Sequence, residues 1–181
     1  MNPEHFALLQ EARRAFPEGF KVEISGDTLI AQASPSIQHQ RNLFHVRRQF
    51  DAHRPEGYMP TENSDLASPR IGKVRNPDLT YVPDDTADLP EHDIPAEVAL
   101  IAVEIVSPSN PENDWAAKLR DYPVMGIPLY LIIDARESTV TLFSDANHDK
   151  YHTRTDRKFG ETIHIPEPFD FDLDLGRLNP Y

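Results

Sequence analysis

Two acids, a lysine and a histidine carry the chemistry legible in this sequence. Glu104 stands in the run Ala99-Leu100-Ile101-Ala102-Val103-Glu104-Ile105-Val106, which otherwise reads as a strand buried on both faces of a sheet. An ionised carboxylate in such a place costs several kcal/mol unless a cation, a metal or strong hydrogen bonds offset it. Alternation along the strand puts Glu104 on the face that carries Leu100, Ala102 and Val106. The run stops at Ser107-Pro108-Ser109-Asn110, so the acid lies near the C-terminal end of its strand, where open α/β sheets keep their sites. The ordinary alternative is a structural ion pair with an arginine. The reading with chemical consequences is a metal ligand or a catalytic acid.

Asp78 follows Pro77 at the start of the strand that precedes the Glu104 strand, and a sheet meander would bring the two acids together. Carboxylates on adjacent strands favour a hard divalent cation, Mg²⁺ or Mn²⁺, with oxygen ligands and retained waters. Without a metal they repel, and one tends to hold a proton. Pro-Asp at a strand start is also common turn chemistry. Asp114 and Lys118 are four apart on the helix after Glu104 and share a face, which for most helices means a surface ion pair. Here the first turns of that helix should pass over the end of the Glu104 strand and bring Lys118 within reach.

The elements that position these groups follow from pattern. Residues 3–16 read as an amphipathic helix, and residues 21–30 as a hairpin around Gly26-Asp27. A helix over about 36–53, capped by Ser34 or Ser36 and with Pro55 beyond its end, carries His39, Leu43, Val46 and Phe50 as a core stripe. Arg41, His45 and Arg48 form a separate basic stripe on it. Two antiparallel strands are expected at about 57–65 and 76–82, joined by a segment holding Arg70, Lys73 and Arg75. After an acidic loop and the Glu104 strand come a helix over about 111–125 and a buried strand over 128–134. Hairpin-like segments at about 138–145 and 149–165 follow, then Phe169-Asp170-Phe171-Asp172-Leu173-Asp174-Leu175, whose strict alternation fits an extended edge with an acidic outer face. Pro123 inside the 111–125 helix predicts a kink or an early end.

Composition bounds the rest. With 181 residues, 39% hydrophobic, the chain suits one domain with a substantial core. No apolar stretch suits a membrane span, and Met1-Asn2-Pro3-Glu4-His5-Phe6 shows no secretory signal, so a cytoplasmic address is the default. The absence of cysteine removes disulfides and thiolate-bound metals. The net charge of −12 argues against strong non-specific nucleic-acid binding. Its distribution is uneven, however: residues 1–75 carry 10 Lys/Arg against 9 Asp/Glu, and 76–181 carry 8 against 21. A surface that meets a polyanion should therefore lie in the first half, across Arg41, Arg48, Arg70, Lys73 and Arg75.

Pro77-Asp78, Glu104-Ile105-Val106-Ser107-Pro108-Ser109, Asp114-Trp115-Ala116-Ala117-Lys118, Tyr122 and Gly126-Ile127-Pro128-Leu129-Tyr130 together resemble the restriction-endonuclease family of the Uma type, within the PD-(D/E)XK nuclease superfamily. Glu23-Ile24-Ser25-Gly26, Ser34-Pro35 and His39 match the family's opening hairpin and following helix, so the resemblance covers roughly residues 20–178. It implies an α/β fold with a restriction-endonuclease-like core at about 34–135, a mixed central sheet flanked by helices, inside a single domain spanning 1–181. Residues 1–33 would be an added helix and hairpin, and 136–181 C-terminal strands with an acidic tail. The resemblance also implies Mg²⁺- or Mn²⁺-dependent cleavage of phosphodiester bonds, with Asp78 and Glu104 as metal-binding acids. The lysine expected two residues after the second acid is replaced by Val106, and Lys118 matches the helix lysine that substitutes for it in such families. His39 matches a position on the first core helix where other superfamily members often place an acid, and is a further catalytic candidate. On this reading the main-chain carbonyl of Ile105 completes the protein's ligands, and Lys118 orients the nucleophile or adds positive charge in the transition state. Nucleic acid, DNA above all, is the implied partner, and a homodimer would supply the two centres that cutting both strands requires.

Other chemistries fit less well. A glycosidase also uses paired acids, but sets them among sugar-stacking aromatics, and the one tryptophan is Trp115 on the helix. His148 and His152 sit about a turn, and no His-Glu-x-x-His, P-loop, Gly-x-Ser-x-Gly or Rossmann fingerprint occurs. The rival from another class is a non-catalytic nucleic-acid-binding or assembly module that keeps the nuclease fold.

Overall fold

The computed structural model describes residues 3–15, 21–25, 28–32, 35–88, 93–108 and 111–181; the Gly26-Asp27 turn expected from sequence lies outside them. Helix α1 (Pro3–Ala15) precedes the hairpin β1 (Lys21–Ser25) and β2 (Thr28–Gln32), paired antiparallel. Helix α2 (Ile37–His53) starts where the Ser36 hydroxyl accepts the His39 N–H at 3.2 Å, a side-chain cap on one of the orphan donors of the first turn. The expected stripe His39, Leu43, Val46 and Phe50 is buried, as spacing of three and four on one helix face requires.

The segment expected to form two strands forms four. β3 (Tyr58–Thr61) ends before Asn63, whose φ of 54° turns the chain. β4 (Leu66–Ser68) and β5 (Lys73–Arg75) then pair with each other, and β6 (Leu79–Pro83) returns against β3. β4 and β5 join the hairpin in a five-stranded sheet, β2-β1-β5-β4-β7, where β7 is Ile94–Pro95. The sequence pattern cannot report this change of sheet, because alternation records burial and not partner.

The larger sheet holds the order β11-β10-β9-β8-β6-β3, with β8 (Ala102–Ile105), β9 (Tyr130–Asp134), β10 (Thr139–Asn147) and β11 (Lys150–Lys158). β8 and β9 run parallel, and their crossover is a π-helical turn, Asn113–Lys118, continuing into α3 (Leu119–Val124). The other pairs in this sheet are antiparallel, so the sheet is mixed. Both faces are covered. On one, Leu43, Val46 and Phe50 of α2 pack against Val103, Ile105, Leu131 and Ile133, joined by Phe171 and Leu173. On the other, Tyr122 and Met125 meet Ala102, Val106, Tyr130 and Ile132. The side chains of β8 and β9 alternate between these layers as strand geometry demands. Leu100 departs from the expected alternation: it precedes β8 and packs with the α2 layer.

Pro123 lies within α3, which ends one residue later; Gly126, at φ 91°, then reverses the chain against Glu97, where a side chain would have to be accommodated at 3.2 Å. β12 (Thr162–Ile165) and β13 (Phe171–Asp174) pair separately, with Asp172 and Asp174 outward as the alternating tail predicts. No helix among the described residues is long and apolar enough to cross a membrane.

One ionic knot ties the two sheets' layers together. Asp121 of α3 accepts Lys73 Nζ at 2.6 Å and Arg75 Nε at 3.1 Å, with Arg75 Nη2 on the same carboxylate. Burial raises the Asp121 pKa, but the Lys73 and Arg75 hydrogen bonds outweigh it and hold the carboxyl below its ordinary range. Such a depressed acid contributes stability in full above its ordinary pKa, and that contribution is lost as pH falls through the depressed value. Asp121→Asn removes the carboxylate shared by the buried Arg75 and the partly buried Lys73, and should cost about 3–5 kcal/mol at neutral pH by urea unfolding. The difference from the parent should shrink in acid, below about pH 4; a gap that stays constant with pH would show that the pair is not ionic.

Candidate active site

The register that pairs Leu79 with Val103 and Thr80 with Ala102, continued by one residue, sets Asp78 opposite Glu104 across β6 and β8. Asp78 Oδ2 accepts the Ile105 N–H at 2.8 Å, which fixes the carboxylate at the end of β8. From the first helical layer, His39 Nε2 approaches the same oxygen to 3.3 Å. That nitrogen is buried yet forms no hydrogen bond, so the contact has the distance of an ion pair without its alignment.

The second helical layer supplies the counter-charge. Lys118 Nζ lies 2.8 Å from Glu104 Oε1 and 3.2 Å from Asp114 Oδ1. The lysine is only 2% exposed, so its charge is held out of water by two carboxylates. Tyr122 donates its O–H to Glu104 Oε1 at 2.6 Å, and Tyr130 donates to the Asp114 carbonyl at 3.0 Å. Burial, then the charges of Asp114 and Glu104, push the Tyr130 phenol well above its ordinary pKa, so it remains a donor. Asp114, Lys118 and Tyr122 succeed one another at intervals of four. The π-helical turn widens the winding between the first two, which keeps a four-residue spacing aimed at one strand.

Asp134 ends β9 beside this cluster. It accepts Trp115 Nε1 at 3.0 Å and the Arg136 guanidinium at 2.9 Å. Burial raises its pKa, and the bonds from Arg136 and Trp115 more than reverse that, leaving it low. Sequence reasoning passed over Tyr122, Tyr130 and Asp134 as site residues. Asp134 had the same signal as Glu104, an acid closing an apolar strand run, and Tyr122 continued the four-residue interval from Lys118.

The sequence candidates thus divide. Asp78 with His39, and Glu104 with Lys118, form two contacts that the register sets side by side at the ends of β6 and β8. Arg41 and Arg48 are exposed on α2, and Arg70 is exposed in the turn between β4 and β5. Lys73 is partly buried on Asp121. Arg75 is a correction: expected on a nucleic-acid surface, it is 0% exposed and committed to Asp121, because only burial with a carboxylate satisfies a guanidinium in that layer.

A divalent cation is compatible with these residues. Asp78 and Glu104 offer hard oxygens from adjacent strands, and the unaligned buried His39 nitrogen suits a position that a cation or its water completes. Among the described residues no group of three or more His, Asp or Glu side chains forms a ready cage. Mg²⁺ commonly takes one or two carboxylates and fills its shell with waters and phosphate.

A mixed sheet with helices on both faces and buried acids at the ends of neighbouring strands defines a restriction-endonuclease-like α/β protein. The chain matches the Uma2 family, described as "Putative restriction endonuclease", over residues 3–176, and belongs to that family. A crystal structure described as "a putative nuclease belonging to DUF820" from Anabaena variabilis has the same fold. Its TM-score is 0.71 at 13% identity, covering 94% of this chain and 96% of that one. No curated protein matches the chain.

Tyr122→Phe removes one donor to a buried carboxylate and leaves the ring in place. It should lower stability by about 1.5–3 kcal/mol in denaturant melts, the range for hydrogen bonds to charged groups. A loss under about 0.5 kcal/mol would mean that Lys118 alone satisfies Glu104.

Proposed function

We propose that this protein is a divalent-metal-dependent endonuclease that hydrolyses phosphodiester bonds of DNA, acting in the cytoplasm. In this reading Asp78, Glu104 and the main-chain carbonyl of Ile105 hold Mg²⁺ or Mn²⁺, and Lys118 is the catalytic cation. The observation that carries the reading is the buried contact of 2.8 Å between Lys118 and Glu104, with Asp78 across from it in register. Membership of the family described as "Putative restriction endonuclease" supports it.

When bound, the metal supplies Lewis-acid polarisation of a phosphoryl oxygen and a water of lowered pKa. The chain's own groups supply position and charge. Asp78 is fixed by the Ile105 N–H, so its oxygens need no reorganisation during reaction. Lys118 holds a positive charge in a water-poor site, where it favours the negative charge that develops on the phosphorane more than it would in water. Val106 stands where the superfamily pattern has its lysine, and Lys118 reaches Glu104 from the helix instead. His39 lies beside Asp78 from the other layer, its Nε2 3.3 Å from the carboxylate and open to a bound ion or its water. Exposed Arg41, Arg48 and Arg70 meet DNA phosphates, and a homodimer presents two centres to a duplex.

Binding of Mn²⁺ to the folded state alone stabilises it by about 2.7 kcal/mol at a hundredfold excess over Kd. Thermal melts with Mn²⁺ should therefore show an upward shift in the parent and none in Glu104→Gln. Lys118→Ala should keep the metal-induced shift while cleavage of a DNA substrate slows by about 10²–10³. A Lys118→Ala protein as active as the parent would reduce Lys118 to an internal ion pair. A parent that shows the shift yet cleaves no substrate would favour the binding-module reading.

A further inference from the structure

The last residues of the chain are seated on α2 by two side-chain amides. Gln49 donates from Nε2 to the Asp174 carbonyl at 3.0 Å and accepts the Asp174 N–H at 2.8 Å. Two helical turns earlier, Asn42 repeats the pattern, donating to the Asn179 carbonyl at 2.8 Å and accepting the Asn179 N–H at 2.9 Å. Each amide thus acts as a strand neighbour would, satisfying both main-chain groups of one residue. Leu178 is buried against the α2 core layer, and Tyr181 donates its N–H to the Ala135 carbonyl at 3.1 Å, next to Asp134. Residues 174–181 therefore run along α2 toward its N-terminal half and end at the tip of β9.

This path links two regions of opposite charge. At Arg177 the segment meets the basic stripe: His45, Arg48, Gln49, Asp174 and Arg177 line a cleft of about 230 Å³. Arg41, Arg48 and Arg177 are exposed, and among the described residues none of the three is in an ion pair. Burial, then Arg41, Arg177 and Arg48, lower the pKa of His45, as a gathering of cations should. At its other end, burial followed by the charges of Asp78, Asp134 and Asp114 pushes the Tyr181 phenol up to about 12, which fits a ring lying toward the acid cluster. Tyr181 is four positions beyond Arg177, a reach of at most about 14 Å. In a chain of net charge −12, a cluster of exposed cations that form no ion pair among the described residues, one short segment away from the acids, is suited to a polyanion.

We propose that residues 174–181 form a nucleic-acid-binding strap in which Arg177 joins Arg41 and Arg48 on the phosphate backbone and leads it along α2 to the acid cluster. The inference rests on the nucleic-acid reading given above and adds to it an element from the acidic half of the chain, where charge counting along the sequence would not place one. Asp174 also lines this cleft, but its Oδ1 is turned to the segment itself and accepts the Gly176 N–H at 2.8 Å.

The test is fluorescence anisotropy of a fluorescein-labelled DNA duplex in EDTA, where no cleavage intervenes, over a series of salt concentrations. Arg177→Gln, an exposed change that leaves the seat intact, should weaken binding and flatten the plot of log K against log salt by about 0.9, one duplex phosphate contact. Asn42→Ala, which releases the segment, should weaken binding as well, while Lys150→Gln on β11 should not. An unchanged slope in Arg177→Gln, an equal loss in Lys150→Gln, tighter binding on release in Asn42→Ala, or no binding by the parent would each overturn the strap. The nuclease reading is decided separately by cleavage. A parent that binds through Arg177 but does not cut loses the nuclease and keeps the strap, and one that cuts with Arg177→Gln indistinguishable in binding does the reverse.

Discussion

The buried contact between Glu104 and Lys118 is the constraint around which the centre of this protein is arranged. Neither charge is tolerable in a sheet–helix interface by itself, and each satisfies the other only at hydrogen-bond distance. That requirement fixes where α3 crosses β8. The segment that delivers Lys118 to Glu104 is a π-helical turn, and Asp114, four residues earlier, also reaches the lysine amine. Tyr122 and Tyr130 then fill the space around the ions, with ring centroids 4.8 Å apart and hydroxyls directed to Glu104 and the Asp114 backbone. Aromatic residues with a polar tip suit such a wall, since they exclude water and still meet the polar atoms.

The same logic sorts the other charges. Asp121 draws Lys73 and Arg75 inward, so two cations that sequence position assigns to the surface are consumed in holding the small sheet to α3. Asp134 is similarly committed to Arg136 and Trp115. What stays available on α2 is Arg41 and Arg48, both exposed and in no ion pair among the described residues, while Arg47 beside them is held by Glu62 and Asp51. An acidic protein thereby keeps exposed cations on α2, and the local arrangement of charge, more than net charge, governs where a polyanion approaches.

Much of this was legible in the sequence, for a physical reason in each case. Glu104 announced itself because burial makes an acid in an apolar strand expensive, and the α2 core stripe followed from helical period alone. Lys118 was legible through its interval from Asp114 and the short distance along the chain from β8. Arg75 was not legible, because Lys73-Val74-Arg75 alternates equally well with either face inward, and only the distant Asp121 decides. The division of residues 58–83 between two sheets, and the seating of Asn179 on Asn42, depend on pairings between segments far apart in sequence, which no local pattern encodes.

Val106 shows why the superfamily's strand lysine and a helix lysine are physically exchangeable. Residues two apart on a strand share a face, so a lysine at 106 would project into the same layer as Glu104. Here that layer is occupied: Val106 is fully buried among Tyr122, Met125 and Ile132. A cation entering from the strand would displace that apolar contact, whereas Lys118 enters from the opposing helix and brings its long methylene stem as packing. Both routes deliver one positive charge to the second acid. The helix route makes that charge depend on the placement of a whole element, so whatever holds α3, Asp121 included, also holds the contact between Lys118 and Glu104.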